Sequence, residues 1–147
     1  MSPSAVNFFS AEEKSRITDA IGQAELDTSG EIRVHIENHC REDVLDRASY
    51  LFHRLEMDKT KLRNGVLIYL AVKSRHFAII GDGGINEVVP EDFWVNIKEM
   101  MTQHFKEGAF VEGLTKGIAE AGTKLKEHFP YQSDDINELP DDISFNS

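Results

Sequence analysis

Cysteine is nearly absent from this 147-residue chain: Cys40 stands alone. That excludes an intrachain disulfide and a thiolate zinc site. His39 and Arg41 flank it, surroundings of the kind that activate thiols, yet a lone cysteine reads first as a small apolar filler. Positive charge is in deficit, since 16 Lys and Arg face 26 Asp and Glu, for a net charge of −10. Without a basic footprint the chain offers no general surface for nucleic acid or anionic lipid. Half of that deficit lies in residues 130–147, where Asp134, Asp135, Glu138, Asp141 and Asp142 meet no Lys or Arg. Long apolar runs are missing too, and none reaches the ~20 residues of a membrane span. The opening MSPSAVNFFSAEEK has neither the basic nor the apolar region of a secretory leader. The expectation is a soluble, cytoplasmic protein with no membrane span in this chain.

Several chemical signatures are also lacking. There is no phosphate-cradling glycine loop with its Lys, no dinucleotide spacing, no serine in a nucleophile elbow and no paired histidines of a metalloprotease. What the chain does have is a central stretch from Asn64 to Asp92. Two apolar runs, Val66–Val72 and His76–Ile80, are separated only by Lys73-Ser74-Arg75 and read as an antiparallel hairpin. The second run empties into Gly81-Asp82-Gly83-Gly84, an acidic, glycine-rich loop.

Upstream, Ser10-Ala11-Glu12-Glu13 is a capping box. It opens a helix whose inner face is Ile17, Ala20, Ile21 and Ala24, and Asp27-Thr28-Ser29-Gly30 ends that helix. Glu31–Glu37 alternates strictly, which predicts a half-buried strand with His35 on its solvated face. Val44, Leu45, Ala48, Leu51, Phe52 and Leu55 mark a second helix. Strand, helix and strand make a right-handed βαβ unit with parallel strands. Pro90 suits a first helical position, and Glu91 and Asp92 suit a helix N-terminus. Phe93, Ile97, Met100, Met101, His104 and Phe105 then line a third helix, and Phe110, Leu114, Ile118, Ala121 and Leu125 a fourth. The fold class expected is α/β: a three-layer α/β/α sandwich with a small mixed sheet covered by amphipathic helices. Its domain spans residues 8–129, and residues 130–147 form an acidic, mobile tail, although Ile136, Leu139, Ile143 and Phe145 leave room for part of it to dock.

This topology brings Glu31, Asn64, Asp82 and the 83–92 loop to one end of the sheet. Carboxylate, amide and loop carbonyl oxygens gathered there suit a hard cation. The expected ligands are Asp82, Glu31, Asn64 and Gly84, with Glu87, Glu91 or Asp92 completing the shell. The plainer reading is a hairpin exit whose acids serve only a turn and a helix dipole.

Phe9-Ser10-Ala11-Glu12-Glu13, Thr28–Val34, Asn64–Ile68 and Ile80–Ile85, taken together, resemble the TPM-domain family. Its members include thylakoid-lumen and photosystem-repair proteins and a receptor-associated membrane protein. The resemblance covers roughly residues 8–128 and implies an α/β/α sandwich with divalent-cation sites, often Ca²⁺, in loops at one end of the sheet. It also implies a phosphatase activity proposed for the family. Many relatives carry a leader or a spanning segment, and neither is expected in this chain. Three functions follow as expectations: a domain that binds Ca²⁺ or Mg²⁺, a metal-dependent phosphatase acting on phosphate esters, or a non-catalytic module with an unknown protein partner.

Overall fold

The computed structural model describes residues 5–131, 139 and 141–145. Ser10 caps the first helix as its sequence dictates. Its hydroxyl accepts from the Glu13 N–H at 3.1 Å and the Glu13 carboxylate accepts from the Ser10 N–H at 2.9 Å. Helix α1 runs Ala11–Ala24 and buries Ile17, Ile21 and Ala24. Strand β1 (Glu31–Glu37), helix α2 (Val44–Arg54) and strand β2 (Gly65–Ala71) follow, and β3 (His76–Gly81) completes the hairpin. β1 and β2 pair in parallel from Glu31 opposite Gly65 to Glu37 opposite Ala71, and β2 pairs antiparallel with β3. These are the pairings that the βαβ length and the short turn predict.

The layers follow from alternation along the strands. Ile32, Val34, Ile36, Val66, Ile68, Leu70 and Ile79 face α1, α4 (Val95–Lys106) and α5 (Phe110–Leu125) in the larger core. Leu67, Tyr69, Ala71 and Ala78 face α2 and Met57 in a smaller one. Both faces of β2 are therefore covered, as its continuous apolar run requires. Gly108, at φ +76°, lets the chain turn between α4 and α5.

Four expectations need correction. β1 is buried on both faces, and His35 is 3% exposed rather than solvated. Its polar face lies beneath α2 and a C-terminal segment that no periodicity announces. That segment is the second correction. Residues 139 and 141–145 are docked, and Ser144–Phe145 form β4, which pairs in parallel with His35–Ile36 to give the order β3-β2-β1-β4. The rest of the expected mobile tail, residues 132–138, 140, 146 and 147, lies outside the described residues. Third, Pro90 does not open a helix. Phe93 N–H bonds to Pro90 O and Val95 N–H to Asp92 O in successive turns, and α4 starts at Val95. Burying Phe93 and Trp94 fixes that irregular approach. Fourth, the glycine-rich stretch is not an open loop: Gly83–Asn86 form a short helix, α3.

Candidate functional site at the Asp82 end of the sheet

Asp82 follows β3 and caps α3. Its Oδ1 accepts from the Gly83 N–H at 2.8 Å, and its backbone N–H donates to Gly65 O at 2.9 Å. The side chain is only 6% exposed, so its charge needs a partner. Arg63 supplies it through two parallel bonds, Nε to Oδ2 at 2.7 Å and Nη2 to Oδ1 at 2.8 Å. Such bidentate pairs are the strongest of the charge-assisted kind. Arg63 reaches this position from left-handed backbone, φ +52°. Its carbonyl also accepts the Gly84 N–H at 2.8 Å. The guanidinium pKa is raised by its bonds to Asp82 and by that carboxylate's charge, with smaller contributions from Asp58 and Glu87. Arg63 is thus tied to Asp82 at its head while its side chain remains 53% exposed.

Asp58, in a single helical turn between α2 and β2, is an acid that sequence patterning does not single out. Its Oδ2 meets His53 Nδ1 at 3.2 Å, while its buried Oδ1 has no hydrogen-bond partner among the described residues. Burial pushes the Asp58 pKa up, but hydrogen bonds from His53 and from its own backbone outweigh that and hold it below the usual value.

Glu31 and Asn64 reach the same end of the sheet but not the same place. Glu31 is opposite Gly65 on one side of β2 and Asp82 follows Gly81 on the other. Two strand spacings, roughly 10 Å, therefore separate them. The space over Gly65 is filled, since a Cβ there would meet Met57 O at 3.1 Å and Leu139 Cδ1 at 3.7 Å. Glu31 Oε1 accepts the Leu139 N–H at 2.8 Å instead. Asn64 Nδ2 donates to Ser29 O at 3.2 Å. Gly84 packs its backbone on residues 62–63, and Glu87 ends α3 in solvent. Glu91 and Asp92 are exposed before α4, where Asp92 lines a depression with Phe93, Asn96, Lys124 and His128. Of the seven predicted ligands, Asp82 and Glu87 share a neighbourhood through Arg63. Gly84 lies between them in α3 with its N–H on Arg63 O, the other four do not join them, and no group of three or more His, Cys, Asp or Glu among the described residues is placed to hold a metal.

The Arg63 guanidinium is the cation that Asp82 faces, and the charges of Asp58 and Glu87 act on it more weakly.

Two further acidic arrangements escaped the sequence. Glu25, after α1, sits beside Asp141 and Glu31, and its Oε2 accepts the Ile32 N–H at 3.3 Å. Burial, a hydrogen bond to Asp141 and the charges of Asp141 and Glu31 push its pKa up to about 9. At the opposite end of the sheet, Glu37 accepts from Arg47 Nε at 3.1 and 3.2 Å and from the Tyr69 hydroxyl. His35 Nε2 lies 3.4 Å from the same carboxylate and its Nδ1 meets Ser144 Oγ at 2.8 Å. Hydroxyl, imidazole and carboxylate in that order imitate a hydrolytic relay. The imidazole is buried, however, and Glu37 is already shared by Arg47 and Tyr69, so this cluster ties α2 and β4 to the sheet. The Cys40 thiol is likewise buried and donates to Glu42 O at 3.2 Å.

A family profile for the TPM domain matches residues 4–124, and the chain belongs to that family. Among solved structures, the fold is similar to the NMR structure of the BA42 protein from the psychrophilic bacterium Bizionia argentinensis. The two chains are 52% identical with a TM-score of 0.91, over 95% of this chain and 97% of that one. It is also similar in fold to the N-terminal domain of a protein from P. gingivalis, at 18% identity and a TM-score of 0.70, covering 86% of this chain and 83% of that one. The N-terminal domain of cg2496 from Corynebacterium glutamicum, at 14% identity and 0.63, covers 88% and 80%. No curated protein matches. No helix of the described residues is long and apolar enough to cross a membrane.

Proposed function

We propose that this TPM domain binds a divalent cation, Ca²⁺ or Mg²⁺, at the Asp82 end of its sheet. The supporting observation is the stand-in cation: Arg63 gives a buried carboxylate its counter-charge while half of its own side chain lies in solvent. A hard cation would take Asp82 as its carboxylate anchor, with Glu87 and Asp58 contributing charge rather than ligand oxygens. Arg63 has solvent to move into. The net charge of −10 raises the local concentration of cations around such a site. Glu31, Asn64, Gly84, Glu91 and Asp92 are not part of this reading. No observation favours the phosphate-ester alternative over it.

Thermal melting tests the proposal. A cation that binds only the folded state adds RT ln(1 + [L]/Kd), about 2.7 kcal/mol at a hundredfold excess over Kd. For a chain of this size that raises the melting midpoint by roughly 5–10 °C. Asp82→Asn keeps a good helix cap and removes the charge, so the gain should vanish. An equal gain in monovalent salt of matched ionic strength would mean diffuse screening and would sink the proposal.

A further inference from the structure

The depression beside Asp92 lies between the turns that lead into α4 and the last turn of α5, and has a volume of about 390 Å³. That is within the range of small-molecule sites, roughly 300–1,000 Å³. Phe93, itself buried, forms part of its wall, and one charged side chain is fixed against it. Lys124 Nζ donates to Phe93 O at 2.7 Å and lies 5.0 Å from the Phe93 ring centroid. An ammonium has three N–H groups, so two remain for a ligand. The His128 ring meets Phe93 edge to face, 5.7 Å between centroids.

The remaining polar side chains of the depression are uncommitted. Asp92, Asn96 and Glu127 are exposed, and none of them makes a hydrogen bond or ion pair through its side chain among the described residues. Pro90 and Val95 add an apolar wall, and both are left exposed. The charges decide what fits. A phosphate or a dicarboxylate drawn to Lys124 would meet Asp92 and Glu127, and a bare amine drawn to those acids would meet Lys124. A small ligand with one charge of each sign and one apolar group satisfies every side of the depression.

We propose that this depression binds a free α-amino acid with an apolar side chain. The ligand's carboxylate takes the spare N–H groups of Lys124 and the imidazole of His128. Its ammonium goes to Asp92 and Glu127, and its side chain lies against Phe93, Pro90 and Val95. Asn96 offers a donor and an acceptor to either charged group. Lys124 is already ordered by Phe93, so little of its rotamer freedom is left to lose on binding. The site is independent of any cation at Asp82, which uses none of these residues.

The test is an amide-shift titration of the full chain with L-leucine. Saturable shifts should centre on residues 92–96 and 124–128. N-acetyl-leucine keeps only the carboxylate and leucinamide only the ammonium, so the two imitate the ends of a peptide. Each should bind roughly tenfold or more weakly than leucine, as loss of a charge-assisted hydrogen bond implies. Lys124→Met keeps an apolar stem over Phe93 and should weaken leucine binding by a similar factor. Asp92→Asn with Glu127→Gln, both at exposed positions, leaves the Lys124 tie to Phe93 intact and should erase the preference for leucine over N-acetyl-leucine. No saturable shift at millimolar leucine, shifts centred elsewhere, either analogue or inorganic phosphate binding as tightly as leucine, or a preference that survives the double change would overturn the inference.

Discussion

Arg63 carries the cation account at the scale of single residues. If it occupies the place a divalent ion takes, Arg63→Gln removes a competitor and should tighten Ca²⁺ binding several-fold while lowering the stability of the ion-free protein. A calorimetric titration that shows weaker binding in this variant would make Arg63 a scaffold for the site rather than its occupant. Glu25 gives a prediction in pH. A carboxyl with its folded pKa raised from 4.5 to about 9 binds its proton more tightly folded than unfolded. Its favourable contribution is therefore complete below about pH 4.5 and is lost as pH rises through about 9. Glu25→Gln keeps a neutral group beside Asp141 and Glu31, so it should melt like the parent chain at pH 4.5 and at a higher temperature at pH 8. A constant difference between the two across that range would place the proton elsewhere.

At the scale of elements, α3 shows how a loop reading and a helix reading part company. Gly81-Asp82-Gly83-Gly84 has the composition of an open turn, and composition cannot show that Gly84 lies against another segment's backbone. A Cβ on Gly84 would stand 2.2 Å from Leu62 O and 2.6 Å from Arg63 O, whereas one on Gly83 meets nothing within 4 Å. Gly84→Ala should cost roughly 1–3 kcal/mol, as overpacking does. Gly83→Ala should be neutral or stabilise by up to about 1 kcal/mol through lower unfolded-state entropy. Chemical denaturation of the two variants decides the matter, and equal midpoints would contradict the close packing of α3 on residues 62–63. The capping box, β1, α2, the hairpin and α5 were legible because each rests on local signals: Ser10 with Glu13, strict alternation, a 3.6-residue stripe, a short polar break. The start of α4 was not, because Pro90, Glu91 and Asp92 are good first-turn residues that the burial of Phe93 and Trp94 overrides.

For the molecule as a whole, pairing order was legible and lateral position was not. The βαβ unit and the hairpin correctly bring Glu31 and Asp82 to one end of the sheet, yet Met57 and Leu139 fill the gap over Gly65. That gap depends on a segment far along the chain, whose contacts no periodicity encodes. The same segment turns β1 from half-buried to buried and pairs Asp141 with Glu25. The central claim is that a divalent cation binds at the Asp82 carboxylate, and one measurement tests it most directly. An amide-shift titration of metal-stripped, isotope-labelled protein with Ca²⁺ locates any bound ion by residue. The account predicts saturable shifts centred on residues 58, 63 and 82–87, absent in Asp82→Asn, with Glu91, Asp92 and Asn64 little moved. Shifts centred instead on Glu25, Glu31 and Asp141, or a linear drift spread over all the acidic residues, would contradict it.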